Sequence, residues 1–392
     1  MGDHDADDGT LQVEVVGAVD AVPAAAWDAL AGDDNPFVEH AFLALLEESG
    51  AVGPATGWLP HHLVVRLGGQ VVGAAPMYLK GHSYGEYIFD WSWAHAAERA
   101  GLAYYPKLVV AIPFTPATGP RLLIHPDAPR HAVTAALGRG ALAVADEIGA
   151  SGVHWLFCTE GERAELGRFG FAPRASYQFH WDNRGFRDFD DYLEALTRRR
   201  RKEVRRERAR AAAHRLTIRV VPGTELEPRH WRALDTFYRR TVGYRGGYPY
   251  LPPRFFELLG PRLGHRTLAV LAERDGEPVA GTLNFRKGSR LYGRYWGAAE
   301  DLDALHFECC YYRLIEYAIA EGIARFEAGA QGEHKIARGF LPVETCSAHR
   351  LTHPGLGRMV GAFLRDEAGA VRRHMAWLGA SSPYAVDRAR EG

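Results

Sequence analysis

Apolar residues recur along this chain at two spacings, and the changes of spacing divide it into elements. Apolar positions three and four apart predict short helices near 24–30 and 38–48, and longer ones over 130–148, 227–242 and 305–321. Strand-like runs lie at 63–66, 154–158, 216–221, 268–271 and 323–327. Two of them, 63–66 and 268–271, lead through a glycine-bearing turn into a second run ending near Lys80 or Lys287, which reads as a β-hairpin followed by another strand. Alternation in Tyr87-Ile-Phe-Asp-Trp91 predicts a strand with one polar face. Helices first, then an antiparallel meander, then helix and strand, describe an α/β domain with a mixed sheet.

That order occurs twice. Gly68-Gly-Gln-Val-Val-Gly73 matches Gly276-Glu-Pro-Val-Ala-Gly281 at an offset of 208, and Tyr84-Gly-Glu-Tyr87 matches Tyr292-Gly-Arg-Tyr295 at the same offset. A register kept between two blocks implies duplication, with chance likeness of two glycine-rich hairpins as the alternative. A chain of 392 residues exceeds what one core usually fills, so two domains are expected on length as well. The polar stretch 182–187 marks their boundary. Residues 1–10 then form a disordered acidic N-terminus, 11–184 a first domain, and 185–392 a second domain opening with a basic helix over 196–213.

Charge changes the picture at that helix. Positions 198–210 hold eight Arg, one Lys and two Glu, a local charge of +7 in a protein of formal charge -1. Such a helix repels itself unless an anion lies beside it. Either it is solvated, with Glu203 and Glu207 each meeting an arginine three residues on, or phosphates are its partner. On the second reading Arg201, Lys202, Arg205 and Arg206 hold the phosphates of a donor substrate.

Other classes are excluded by what the sequence lacks. Cys158, Cys309, Cys310 and Cys346 have neither zinc-site nor redox-pair spacing, and with an N-terminus that lacks a signal peptide's basic and apolar regions they point to a cytoplasmic protein. There is no HExxH or other metal-ligand spacing among the 18 histidines, no Walker loop, no dinucleotide fingerprint and no run of eighteen apolar residues. No metal, no DNA partner and no tightly bound cofactor are therefore expected, while peripheral contact with a membrane surface stays open.

The duplicated unit and the basic helix resemble the FemABX-like transferases, whose two domains have the GNAT acyltransferase fold. Leu196-Thr-Arg-Arg-Arg-Arg-Lys-Glu-Val-Arg-Arg-Glu-Arg208 is similar to the basic motif opening their second domain. Gly329-Ala-Gln-Gly-Glu-His-Lys-Ile336, Arg338-Gly-Phe-Leu-Pro342 and His82-Ser-Tyr-Gly-Glu-Tyr-Ile-Phe-Asp-Trp91 resemble an uncharacterised Fem-like branch of N-acyltransferases. The resemblance implies two tandem GNAT-like domains with mixed central sheets, the acceptor lying against the first. It implies transfer of an aminoacyl group from charged tRNA to an amine of a cell-wall precursor or a small molecule. The alternative donor is acyl-CoA, but the Arg/Gln-x-x-Gly-x-Gly/Ala loop that holds its pyrophosphate has no good match here. A protein that binds RNA or a membrane surface without catalysis is the reading from another class.

Acyl transfer to an amine needs a proton relay and a group that stabilises the tetrahedral oxyanion. Gln331-Gly-Glu-His-Lys335, glycine-flanked after a predicted strand, offers His334 as base, Lys335 for the oxyanion or a phosphate, and Glu333 and Gln331 for the acceptor. A structural turn with Lys335 solvated is the bland reading. Glu308, on the helix that precedes this strand, is an alternate base or an ordinary surface charge, and Arg294 and Tyr295 before that helix are further substrate-binding candidates. In the first half His82, Tyr84, Glu86, Asp90, Trp91 and Lys107 could line an acceptor cleft, Asp90 meeting a cation and Lys107 an anion, or belong to an aromatic core.

Overall fold

A computed structural model describes residues 10–244, 246–329 and 332–385. Residues 1–9, most of the expected acidic tail, lie outside the described residues, as does Gln331. The chain forms two units. One holds everything through Ser176 together with Thr345–Ala370, the other Tyr177–Glu344 and the chain from Val371.

The first unit contains β1 (Gln12–Val16), β2 (Trp58–Pro60), β3 (His62–Leu67), β4 (Gln70–Ala75), β5 (Met77–Lys80), β6 (Lys107–Val110), β7 (Leu123–Ile124) and β8 (Gly152–Cys158). Strands β1, β3, β4 and β7 form one antiparallel sheet in that order. Pro76, with no N–H for a ladder, ends β4, and β5 continues into a second sheet. There β5 pairs with β2 and β6 antiparallel, and β6 runs parallel to β8. The helix Arg130–Glu147 presents Val133, Leu137, Ala141 and Ala145, four apart on one stripe, to a core that includes Leu63, Met77, Leu108 and Val153.

The second unit repeats this pairing. It contains the later part of β9 (Ala172–Asp182), then β10 (Thr217–Pro222), β11 (Thr267–Arg274), β12 (Glu277–Lys287), β13 (Arg290–Ala298) and β14 (Arg325–Glu327). Strands β10 to β13 are antiparallel neighbours, and β13 runs parallel to β14, as β6 does to β8. The stretch read as one helix over 305–321 is Leu305–Phe307, a π-helical turn Glu308–Tyr312, and Arg313–Ala320. Its Leu314, Ile315 and Ala318 pack in a core with Leu291 and Phe326.

The fold class expected from the sequence holds, but its internal bookkeeping differs in two respects. No single boundary near 184 exists, because the strand that follows each long helix takes its second neighbour from elsewhere in the chain. Strand β14 is completed by β9, with Phe326 opposite Trp181, and β8 by β15 (Leu341–Leu351), with Cys346 opposite Cys158 and Leu351 opposite Gly152. The repeat also slips by one residue. Both hairpins close through two positive-φ residues, Gly68 (57°) and Gly69 (73°) in one and Asp275 (51°) and Gly276 (83°) in the other. That is the turn geometry whose twist suits a two-residue hairpin. Leu67 opposite Gln70 thus corresponds to Arg274 opposite Glu277, a spacing of 207, and a bulge follows Val65 and Ala272 alike. The second sequence match does not survive: Tyr292–Tyr295 lie within β13, whereas 81–90 is a loop rather than a strand, ending at Asp90 before the helix Trp91–Arg99.

A fragment of residues 1–184 is therefore expected not to fold cooperatively. It carries the whole first domain as read from the sequence, yet strips β15 from β8 and leaves Trp155, wholly buried in the intact chain, beside an open strand edge. Thermal melts followed by near-ultraviolet circular dichroism check this; a sharp transition in the fragment would restore the sequential boundary.

Candidate functional site

In both units a strand pair runs parallel and one strand outlasts the other, a place where α/β sheets commonly hold ligands. The first unit fills it. Strand β8 continues to Cys158 after β6 has ended at Val110, and the returning chain covers the gap. Gly119 N–H donates to the Phe157 carbonyl at 3.1 Å, and the fully buried Arg121 donates through Nε to the Leu156 carbonyl at 3.0 Å.

In the second unit β13 continues to Ala298 beyond its last pair with β14, Tyr292 opposite Glu327. A cluster of rings and imidazoles borders that extension: Trp296 lies 5.4 Å from His306, and His306 6.0 Å from His334 (centroid distances). His334 Nε2 is 2.9 Å from the Tyr311 hydroxyl, a pair through which a proton can pass. Tyr311 belongs to the π-helical turn, where the wider spacing turns side chains off the regular helical stripe.

The loop under His334 is fastened from within. Lys335 is buried and donates to the carbonyls of Ala328 (2.6 Å) and Gly329 (3.1 Å), so it is neither solvated nor free to meet an oxyanion. Arg338 donates to the His334 carbonyl at 2.7 Å and to Glu207 at 2.7 Å, with its guanidinium 3.5 Å above the Phe307 ring. Glu207 also accepts from Tyr312, whose hydroxyl is pushed well above its ordinary pKa by burial, Arg338 opposing and Glu207 reinforcing. At Gly332, with φ of 102°, a Cβ would stand 2.5 Å from the His334 ring, so a side chain there would displace the imidazole. His334 itself is exposed, and so is Glu333, 3.9 Å from His374. Tyr295 packs edge-on against Tyr238 at 5.0 Å, with the Arg294 guanidinium 5.3 Å over the Tyr295 ring.

Glu308 is not a free base. Its buried carboxylate takes both arms of Arg208, at 3.1 and 3.2 Å, and Arg313 at 2.9 Å. Burial pushes the Cys309 thiol up, consistent with a core residue rather than a nucleophile.

The basic helix forms as expected, over Arg198–Ala213, but its charges divide between two faces. Val204 and Ala211 are buried, and the residues around them are committed: Arg208 to Glu308 and Glu316, Glu207 to Arg338, Arg200 to Glu203. The expected pairs from Glu203 and Glu207 to arginines three residues on do not form. Arg201 donates to the carbonyls of Leu193, Glu194 and Leu196, closing the end of the preceding helix, and so drops out of the phosphate-binding set. Arg198, Arg199, Lys202, Arg205 and Arg206 are exposed and have no ion pair or hydrogen-bonded side chain among the described residues.

In the first unit the loop 81–90 sorts its residues by chemistry. Tyr84 is 58% exposed, its ring 5.4 Å from His82 and 5.0 Å from Trp91. His82 is anchored through Nε2 to the Thr56 carbonyl at 3.0 Å. Glu86, Asp90 and Lys107 turn inward and satisfy one another, so Asp90 and Lys107 do not await a cation and an anion: Lys107 Nζ lies 2.9 Å from Glu86, 2.5 Å from Asp90 and 2.8 Å from Ser83. Tyr104 adds a 2.6 Å bond to Asp90. Lys80, which the sequence reading passed over, is buried beside them, 3.7 Å over the Trp58 ring. Burial brings Lys80 down to about 7, against the pull of Glu86. Burial lifts Glu86 to about 7 despite Lys107, whereas at Asp90 the effect of burial is outweighed by Lys107 and its carboxyl falls to about 2. Lys80 was detectable only as the charge ending a strand, and the Glu207–Arg338 bond, spanning 131 positions, had no local signal.

Among the described residues no group of three or more metal-ligating side chains comes together, and no helix is long and apolar enough to cross a membrane. The sequence profile of the FemAB-like family, described as peptidoglycan biosynthesis/recognition, matches residues 18–386. No curated protein matches the chain. Among solved structures, FemX is similar with a TM-score of 0.55 and 12% identity, covering 87% of this chain and 98% of that one. The C-terminal domain of a protein from Agrobacterium fabrum named as a lysylphosphatidylglycerol synthetase gives a TM-score of 0.54 at 10% identity, covering 86% and 94%. A tandem GNAT protein from the clavulanic acid biosynthesis pathway gives 0.45 at 14% identity, covering 88% and 99%.

Lys107→Met is expected to destabilise the chain by about 3–5 kcal/mol in denaturant titrations, because it leaves two buried carboxylates without their cation. The pH dependence of the set has a defined sign. Glu86, raised to about 7, holds a proton in the folded state that the unfolded chain has lost above the ordinary value of 4.5, so this contribution falls between 4.5 and 7. Lys80, lowered to about 7 from 10.5, binds less than the unfolded chain does between those values, so its contribution rises from 7 upward. The stability difference between the natural chain and a Lys80→Met/Glu86→Gln variant should thus dip near pH 7; a flat difference from pH 5 to 9 would contradict the assignment.

Proposed function

The chain belongs to the FemAB-like family, and from that membership we propose that it is an N-acyltransferase carrying an aminoacyl group from charged tRNA to an amine acceptor. The observation that carries the donor is the exposed face of the basic helix. Five cations within nine residues, Arg198, Arg199, Lys202, Arg205 and Arg206, have no counter-charge among the described residues, although the same helix matches its inward charges closely. A helix that pairs one face and leaves the other bare is suited to a polyanion such as tRNA. The family description supports a cell-wall precursor as acceptor, and a charged-tRNA donor would place the reaction in the cytoplasm.

The chemistry falls to the His334 cluster. Attack of a neutral amine on the donor ester forms a C–N bond. The amine's proton passes to His334 or to the departing ribose oxygen, and the C–O bond breaks as that oxygen leaves as a hydroxyl. Tyr311 is placed to relay or orient that proton, and exposed Glu333 to meet the acceptor's ammonium before it is deprotonated. Lys335, Arg338 and Gly332 act through the loop, by holding His334 in place.

Replacing Lys202, Arg205 and Arg206 by Ala should weaken tRNA binding and reduce the salt slope by about 2–3 log units per log unit of salt. Arg201→Ala should lower stability instead. An unchanged slope in the triple variant would remove the argument for a tRNA donor. Transfer of labelled amino acid from charged tRNA to an amine, abolished by RNase and not supported by acetyl-CoA, tests the donor directly; the reverse pattern assigns the acyl-CoA alternative. In single-turnover transfer His334→Ala should lose roughly 10²–10⁴-fold with donor binding intact. Full activity in that variant would leave proton transfer to the substrates themselves.

A further inference from the structure

The first unit carries a cavity of about 630 Å³ at the end of its sheet where β15 finishes and β8 begins, opposite the end closed by Arg121. Its apolar wall is made by Ala172, Leu351 and Val360. Another side is the helix Pro354–Gly379, which presents Gly357 and Gly361 one turn apart. Glycine inside a helix costs about 1 kcal/mol relative to alanine, and here it leaves backbone where side chains would fill the space. A Cβ on Gly361 would meet nothing nearer than Arg365 Nη1, at 3.8 Å.

Three arginines rim this space, Arg350, Arg358 and Arg365, and no acidic residue among the described ones lines it. Arg350 donates to the Phe169 carbonyl and makes no ion pair, while Arg358 and Arg365 have neither ion pair nor hydrogen-bonded partner among the described residues. The nearby Glu367 is taken: Arg174 holds both its oxygens, at 2.8 and 2.9 Å. The arginines are therefore a concentrated positive charge with donors to spare, over a lining whose other polar side chain is His349. Guanidinium groups match phosphate oxygens two donors at a time.

We propose that this cavity binds a phosphate group, with the apolar wall receiving whatever aliphatic portion the phosphate carries. The site stands apart from the acyl-transfer reading, since none of its residues belongs to the His334 cluster or the basic helix. The phosphate could be free in solution or the head of an amphiphile, and the two differ in their use of the wall.

Isothermal titration of the full chain with inorganic phosphate and with octyl phosphate, kept below its micelle-forming concentration, tests the proposal. Saturable one-to-one binding is expected. An Arg358→Ala/Arg365→Ala variant should weaken it at least about tenfold, since a charge-assisted bond is lost at each position. Gly361→Leu fills the groove and leaves the arginines. If it weakens octyl phosphate more than inorganic phosphate, the ligand is an amphiphile; equal affinity of the two phosphates in the natural chain assigns free phosphate. Absence of saturable binding by both, or binding indifferent to loss of the two arginines, overturns the proposal.

Discussion

Taking a charge out of water costs several kcal/mol even after the protein has relaxed around it, and both units bury charges. Each buries several of them in matched sets, and those sets fix segments that the hydrophobic core alone would leave loose. In the second unit Glu207 and Arg208, adjacent on the basic helix, grip Arg338 on one side and Glu308 on the other. The helix cannot slide by a turn without parting both pairs. Since Arg338 holds the His334 carbonyl and Glu308 opens the π-helical turn that supplies Tyr311, the His334–Tyr311 distance depends on those two bonds. In the first unit Lys107 does the same for the loop 81–90, drawing Glu86 and Asp90 inward and leaving Tyr84 and Phe89 facing solvent.

The units share a pairing order and differ in what happens past the parallel strands. Filling that space in the first unit took a buried arginine whose guanidinium donates to three backbone carbonyls, and a loop returning along β8. Such a plug trades a place for chemistry for rigidity. The second unit borders the equivalent space with Trp296, His306, Tyr311 and His334, side chains that carry polar atoms, with Tyr311 and His334 bonded to each other. Duplication permits this asymmetry, because one copy can be spent on scaffold while the other keeps reactive groups at its edge.

Local patterns carried much of this into the sequence. The helix stripes, the hairpin turns at Gly68-Gly69 and Asp275-Gly276, and the basic helix were legible because their causes lie within a few residues. The repeat was legible too, but short glycine-rich matches fix an offset only to within a residue; the paired turns and bulges set it at 207. What the sequence concealed is long-range. Nothing local distinguishes a strand that pairs within its own domain from one that crosses, and no strand-like run is read at β9 or β15, so a boundary near 184 rests on proximity along the chain alone. Glu308 shares that cause, since its partner Arg208 lies 100 positions away, whereas Lys335 and Arg201 are tied by nearby backbone carbonyls, which no side-chain pattern marks. His334 is exposed, as a base there would need to be, while nothing local in the 305–321 helix marks Tyr311 as its hydrogen-bond partner.

Once those ties are discounted, few groups remain near the extension of β13 that can move a proton. Lys335 is committed to two carbonyls and Glu308 to two arginines, while Tyr312, raised by burial, stays a donor at neutral pH. Among the described residues, the imidazoles of His306 and His334, the Tyr311 hydroxyl and the exposed Glu333 carboxylate are what is left. So sparse a set would serve poorly for an unactivated amide, whose departing amine needs a strong acid behind it. It is adequate for an ester, whose oxygen leaves with modest help and whose carbonyl is already electrophilic, so that positioning supplies most of the rate. An activated ester borne by a polyanion, the donor proposed above, would use both the modest chemistry of this cluster and the bare cationic face of the basic helix.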